Sequence, residues 1–419
     1  MIALPAAVLP IQPSLACDEE DLSAMKKLTE EAKARLRGRS RLVHLGRDAE
    51  MSHGFVNVPP FRGSTVLFPD VATLKSRAQR YTYGTHGTPS TDALTEAWSA
   101  ISGAEGTMLV PSGLAAIALS LMTALSAGDH LLVTDSAYQP ARIFCDSTLK
   151  RMGIETTYYD PLVGADIAAL MRPNTKGVFV ESPGSQSFEV QDIPAIAAAA
   201  HAHGACVIAD NTWATPLLFA GHAHGADLVV EAGTKYLSGH SDLLLGLVSA
   251  NPQWLAPLRR TVDQMAIMPG PEDVFLALRG LRTMDLRLRE AERQGLALAR
   301  WLQARPEVLR VLHPALPDDP GHALWKRDFT GSTGLFSVVL KPASEAAVAA
   351  LLDGLELFGM GYSWGGYESL VIPFDCSAYR TATRWAPGGS TLRFSVGLED
   401  IEDLKDDLDR GFQRLAATV

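Results

Sequence analysis

A chain of 419 residues, 47% of them hydrophobic, exceeds the roughly 250–300 residues at which one core stops growing, so at least two domains are expected. The formal net charge of −10 comes from scattered Asp and Glu, and no long Lys/Arg block occurs, which argues against a nucleic-acid partner or an anionic membrane surface. The four cysteines, Cys17, Cys145, Cys206 and Cys376, stand far apart with no CxxC pair, a pattern that argues against a zinc knuckle or disulfide framework and for a reducing compartment.

The opening MIALPAAVLPIQPSLAC is apolar and ends like a lipoprotein cleavage box, but no basic residue precedes its apolar run and three prolines interrupt it. It reads as a loose N-terminal extension. Ser23 to Arg37 reads as a helix, with Leu28, Ala32 and Leu36 at helical spacing and Gly38 just past its end. Residues 39–90 are rich in Pro, Gly, Ser and Thr (NVPPFRGSTVLFPD, YTYGTHGTPS), the composition of an extended arm that can reach a partner subunit.

From residue 91 helical and strand patterns alternate: a helix at 114–125, HLLVTD at 130–135, GVFVES at 177–182, a helix from Ile193 to His203, ACVIAD at 205–210 and ADLVVEAG at 226–233. Short apolar strands alternating with helices predict a mainly parallel α/β sheet covered on both faces, with active groups gathered at the carboxyl ends of the strands. The apolar run from Leu114 to Leu125 falls short of the ~20 residues a membrane span needs. A long helical segment follows from about Glu272 to Ala304, broken by Gly280 and Gly295. The strand-like VLRVLHPAL, FSVVLK and TLRFSVG, mixed with helices at 344–355 and 401–416, then predict a smaller C-terminal α+β domain.

HAHGA occurs twice, at 201–205 and 222–226. An HxH pair is able to ligate a metal, but each copy runs through a glycine into an apolar strand, so both read as helix C-termini and no metal site is assigned. Four other features carry chemistry. Lys235 stands in EAGTKYLSGHSD at the end of an apolar strand, where burial is able to render its amine nucleophilic. Asp210 ends another strand and fits either a turn cap or the partner of a pyridine nitrogen. Ser112, Gly113 and Leu114 open a helix, where free N–H groups suit a phosphate as well as an ordinary cap. Tyr138 in SAYQP suits either stacking on an aromatic cofactor or plain packing.

Together these features resemble the transsulfuration enzymes of cysteine and methionine metabolism, which depend on pyridoxal 5'-phosphate (PLP), and within that family the β-lyases. The resemblance runs from about Arg41 to Arg414 through RLVHLGRD, PSGLAA, TDSAYQP, ESPGS, ADNTWATP, GTKYLSGHSD, HPALP, GHALWKRDFTGSTGLFS, YSWGGYESL and LRFSVGLED. It implies the fold type I, aspartate aminotransferase-like architecture: an N-terminal extension and arm at 1–87, a PLP-binding large domain at 88–281 and a small domain at 282–419. It implies Lys235 as the Schiff-base lysine, Asp210 as the pyridine-nitrogen partner and Tyr138 as the ring-stacking residue. Gly113, Leu114 and Thr234 are then phosphate ligands, and Tyr83 reaches a neighbouring subunit's site. Arg393 matches the substrate-carboxylate arginine, a role suited to a bidentate guanidinium, with Ser363 and Trp364 lining the same pocket.

The implied reaction is cleavage of L-cystathionine, cystine or another S-substituted cysteine at Cβ, yielding homocysteine, pyruvate and ammonia from cystathionine. Lys235 is the base, and Lys235 or Tyr83 protonates the leaving thiolate. The implied setting is a cytoplasmic homotetramer with shared active sites, acting on a small amino acid without nucleic acid or membrane. Two positions depart from the family pattern: Thr85 stands where the arm usually carries a phosphate-binding arginine, and Ala232 where it usually carries a serine. Loss of the arginine's bond would cost about 1.5–3 kcal/mol unless His86, Arg77 or Arg80 compensates, and PLP is still expected to bind. A γ-acting relative is the alternative within the family. A nicotinamide-binding Rossmann protein is the alternative outside it, and no GxGxxG follows the first strand.

Overall fold

The apolar runs line up in one twisted sheet whose interior strands are buried on both faces. In the structure, a computed structural model that describes residues 28–418, these strands are β1 (Gly106–Val110), β2 (His130–Thr134), β3 (Glu155–Tyr159), β4 (Thr175–Glu181), β5 (Cys206–Asp210), β6 (Leu228–Ala232) and β7 (Gly246–Ala250). Their order is β1-β7-β6-β5-β4-β2-β3. Pairings from β3 through β6 are parallel, and β7 runs antiparallel to both β1 and β6. Helices Gly113–Ala124 and Ile193–Ala202 pack on the sheet through separate apolar clusters, which is why the strands between them carry so little polar patterning.

A second, four-stranded sheet is built from β8 (Val308–Leu312), β9 (Leu335–Leu340), β10 (Leu370–Phe374) and β11 (Thr391–Ser395). Its order is β10-β11-β9-β8, antiparallel throughout. The helices Glu345–Asp353 and Ile401–Ala417 bury Leu351, Leu404, Leu408 and Phe412 against it. No helix among the described residues is long and apolar enough to cross a membrane.

Several boundaries differ from the sequence reading. The helix expected over 23–37 is short, Glu30–Arg35, and Gly38 starts a second helix, Gly38–His44, instead of ending the first; residues 23–27 lie outside the described residues. The arm is mostly irregular but holds the helix Val71–Ser76, and Pro89 opens a 14-residue helix closed at its start by a Thr88–Thr91 capping box. The long segment breaks at Arg282–Thr283, between helices Pro271–Leu281 and Met284–Gln303, and Gly280 and Gly295 both lie inside helices. Gly295 is there for packing: a Cβ would stand 2.9 Å from Gly334 Cα, so only a glycine lets this helix meet the chain entering β9. Both HAHGA segments end at left-handed glycines, Gly204 and Gly225. Their histidines are engaged locally, His201 with Asp227 at 2.9 Å and His222 with Ser249 at 3.0 Å.

One buried ion pair fastens the two sheets' loops together. Asp135, just after β2, accepts from Arg142 at 2.9 Å, from the N–H groups of Thr381, Ala382 and Thr383 at 2.9, 3.1 and 2.8 Å, and from the Thr383 hydroxyl at 2.8 Å. Arg142 in turn lies 3.5 Å over the Tyr158 ring. Burial works against the Asp135 charge, but the donors from Thr381, Thr383 and Ala382 outweigh it and hold the carboxyl below its ordinary value of 3.8. Its share of stability is therefore full above that value and is lost as pH falls through the lower folded value. D135A leaves Arg142 buried without its partner, and urea titration should show a loss of about 3–5 kcal/mol. A loss under about 1 kcal/mol would remove this fastening role.

Candidate active site

The carboxyl ends of β4, β5 and β6 open onto one cavity of about 230 Å³. This is the end of a parallel sheet at which side chains from successive strands converge. Lys235, Asp210, Tyr138, Gly113, Leu114, Thr234, Trp364 and Arg393 all line it, and Ser363 joins through direct bonds to two of them. Tyr83 is the expected site residue that the structure does not bring there. It is extended and 48% exposed, bridged to Thr65, beside a separate hollow lined by Thr85 and His86.

Lys235 sits in the turn after β6, its N–H bonded back to the Ala232 carbonyl at 3.0 Å. Its Nζ donates to Ser363 Oγ at 2.7 Å and lies 5.1 Å from the centre of the Trp364 ring. Burial pulls its pKa down to about 8, the Arg393 charge adds to that, and Asp210 partly opposes it. The nearest hydrogen-bond acceptor is thus a neutral hydroxyl, which leaves the amine easy to deprotonate.

Arg393, in the interior of β11, is only 8% exposed. One Nη donates to the Ser363 carbonyl at 2.9 Å, while its Nε is buried with no partner among the described residues. Burial brings its pKa down to about 10, so it remains a cation at neutral pH. A buried guanidinium with an unused donor facing a cavity is a site for an anion, and the fork geometry suits a carboxylate. Ser363 therefore touches both Lys235 and Arg393, and it does so from a strained backbone with φ of 74°.

Asp210 closes β5. Its carboxylate accepts from the Thr212 N–H at 3.0 Å and hydroxyl at 2.6 Å, and that hydroxyl accepts from the Ala232 N–H at 3.0 Å. Burial raises the Asp210 pKa, while Thr212 and Lys235 pull it down. Directly beside it in register stands Glu181 at the end of β4. Burial and the neighbouring Asp210 push the Glu181 carboxyl well above its ordinary value, and its Oε2 accepts from the Tyr138 N–H at 2.7 Å. The sequence pattern assigns no role to Glu181 or Thr212. The available signal for Glu181 was an acidic residue closing an apolar strand.

At the other end, Ser112 caps the helix Gly113–Ala124 by accepting from Ala115 N–H at 3.2 Å, leaving the first helical N–H groups without intrahelical acceptors. A Cβ on Gly113 would stand 2.7 Å from Ala232 Cβ, so the helix start and the strand end approach as closely as they do only because both residues are small. The Thr234 hydroxyl accepts from Leu245 N–H at 3.0 Å. Of the residues able to compensate for Thr85, Arg80 is paired with Asp92 at 2.8 Å and His86 with the Thr82 hydroxyl at 3.0 Å.

These residues fit PLP. An amine of low pKa, a carboxylate for the ring nitrogen, a helix start for the phosphate and an unused guanidinium for a substrate carboxylate surround one cavity. Comparison with known proteins agrees. The family model described as Cys/Met metabolism PLP-dependent enzyme matches residues 39–413. The chain is 43% identical over 387 residues to cystathionine beta-lyase of Salmonella typhimurium, covering 90% of this chain and 98% of that one. It is 42% identical over 387 residues to cystathionine beta-lyase of Escherichia coli, with the same coverage of 90% and 98%. A crystal structure of cystathionine gamma synthase from Xanthomonas oryzae pv. oryzae superposes with a TM-score of 0.84 at 32% identity, over 92% of this chain and 100% of that one. The chain belongs to the PLP-dependent enzymes of cysteine and methionine metabolism.

Proposed function

We propose that the protein is a carbon–sulfur β-lyase that cleaves L-cystathionine to homocysteine, pyruvate and ammonia. The observation that carries this reading is that Ser363 bonds both Lys235 Nζ and Arg393. A substrate whose α-carboxylate is held by Arg393 then has its α-carbon beside the amine, with Trp364 as a bulky wall of the same pocket. Identity of 42–43% to the β-lyases against 32% to the γ-synthase supports the same branch.

Bound here, PLP supplies a carbonyl carbon that condenses with an amine and a ring that withdraws electrons from the substrate's α-carbon. The chain's own residues do the rest. Arg393 fixes the carboxylate and so the orientation of the Cα–H bond. Lys235, with its pKa near 8, takes that proton at Nζ, steered by the Ser363 hydroxyl. The sulfur then leaves Cβ with its bonding electrons, and the proton held on Lys235 is delivered to it, with Tyr83 of a neighbouring subunit as the second candidate donor. Asp210, oriented by Thr212, would hold its negative charge toward the ring nitrogen of bound PLP, Tyr138 would lie against the ring, and Gly113, Leu114 and Thr234 would hold the phosphate.

The same reading places the arm at 1–87, the PLP-binding domain at 88–281 and the small domain at 282–419, supported by β1–β7 falling within 106–250 and β8–β11 within 308–395. It also places the protein in the cytoplasm as a homotetramer whose sites are completed across subunits, which is where the exposed Tyr83 finds its role.

Product analysis with L-cystathionine tests the branch: pyruvate with homocysteine is expected, and 2-oxobutyrate with cysteine would overturn the β assignment. The lowered lysine has its own consequence. When apoenzyme is mixed with PLP, only neutral Lys235 reacts, so the rate of chromophore formation should rise with pH, reach half its plateau near pH 8 and level off above it. In R393A the midpoint should move upward, because a nearby cation that disfavours the charged amine has been removed. A rate that keeps climbing towards the ordinary lysine value of 10.5 in the wild type would contradict a desolvated amine.

A further inference from the structure

Ser363, left-handed at φ 74°, lies in a turn that meets the Lys235 turn beyond its own bonds to Lys235 and Arg393. The turn carrying Ser363 and Trp364 comes from the small sheet, between the helix Glu345–Asp353 and β10, whereas the turn carrying Lys235 follows β6 of the large sheet. The two turns meet at several points. Gly365 is so close that a Cβ would lie 3.2 Å from Tyr236 N, and a Cβ on Gly366 would lie 2.3 Å from both Ser241 Oγ and Glu368 Oε2. The Tyr236 and Trp364 rings are 5.5 Å apart.

At the far end of this seam, beyond the catalytic groups, Ser241 Oγ donates to Glu368 Oε1 at 2.5 Å. The second oxygen, Oε2, is buried with no partner among the described residues. Glu368 is half-buried and Ser241 exposed. One carboxylate oxygen shut off from solvent without a partner costs stability, and the contact is better explained by a positional task than by a stabilising one. Ser241 also has a left-handed backbone, φ 56°, so both turns are strained on either side of the contact. Glu368 itself is anchored: the next residue, Ser369, bonds Glu399 through its N–H at 2.7 Å and its hydroxyl at 2.8 Å, and the preceding Tyr367 carbonyl accepts from Leu398 N–H at 2.8 Å. These bonds tie the Glu368 segment to the chain leaving β11, the strand that carries Arg393.

We propose that Glu368 is a positioning residue: through Ser241 it locks the Ser363–Trp364 turn against the Lys235 turn, and so sets both the reach of the Lys235 amine and the aim of the Arg393 guanidinium. Neither Glu368 nor Ser241 lines the cavity. Their effect reaches substrate only through Ser363. Because this role concerns carboxylate capture and lysine placement, it rests on the activity proposed above only in the choice of substrate.

A double-mutant cycle of S241A, E368A and S241A/E368A, together with E368Q, tests it on the PLP-loaded enzyme. Two readouts are used: turnover of L-cystathionine, and absorbance titration with L-alanine, which has the carboxylate and amine but no carbon–sulfur bond. For E368A the expected result is a rise of about tenfold in KM for L-cystathionine and in the dissociation constant for L-alanine, with a smaller fall in kcat. S241A should match it within about threefold, the double variant should be no worse than E368A, and E368Q, whose amide oxygen still accepts from Ser241, should recover most of the loss. Additive losses, an E368Q as impaired as E368A, or variants that melt earlier with unchanged L-alanine affinity would overturn the proposal. Absence of cystathionine cleavage in the wild type would sink the activity reading, while the L-alanine titration would still decide the role of Glu368.

Discussion

The site depends on one electrostatic constraint: a partly desolvated amine shares a cavity with a guanidinium and has no carboxylate in contact. Were a carboxylate rather than Ser363 Oγ at 2.7 Å from Lys235, charge pairing would stabilise the ammonium and the base would be lost. Asp210 opposes the shift only partly, and its Oδ1 accepts from the Thr212 N–H and hydroxyl rather than from the lysine. The strand ends supply this separation. Asp210 closes β5 and Lys235 follows β6, so the two face one cavity without pairing directly.

That arrangement places strict demands on packing. Gly113 meets Ala232 where the helix start approaches β6, Gly365 meets Tyr236 where the small sheet's turn approaches Lys235, and Gly295 meets Gly334 behind Arg393's sheet. Each is a place where a methyl group would hold two segments apart. The Asp135–Arg142 pair, flanking the cavity-lining Tyr138, fixes the loop at 379–383 onto the large sheet. Both sheets therefore contribute to a single cavity whose two working charges, Lys235 and Arg393, come from different sheets. Burial lowers Lys235 to about 8, and the Arg393 charge from the other sheet adds to that.

Much of this was legible in the sequence, and the physical reasons are specific. Strands β2, β5 and β6 announce themselves because both faces are buried and their residues are almost wholly apolar. Strand β3, ETTYY, has one exposed and three half-buried residues at the sheet edge, so no apolar run marks it. Strand β7 is a short GLVSA whose antiparallel direction no local pattern encodes. Gly295 looked like a helix break because a glycine in a helix is read as a defect, whereas here it serves a contact with residue 334, which the local sequence does not contain. Of the site residues, those in ordered motifs converged on the cavity. Glu181 and the Ser241–Glu368 contact went unread, since both depend on which strand ends and turns become neighbours. Tyr83 lies outside the cavity of its own chain, and a single chain carries no signal for a contact made between subunits.

The most direct test of the central claim is to reduce the PLP-loaded enzyme with borohydride and map the modified peptide by mass spectrometry. The yellow chromophore should bleach and one pyridoxyl group per chain should remain on Lys235, within the peptide containing EAGTKYLSGHSD. A label on any other lysine, or a protein that takes up no PLP at all, would contradict it.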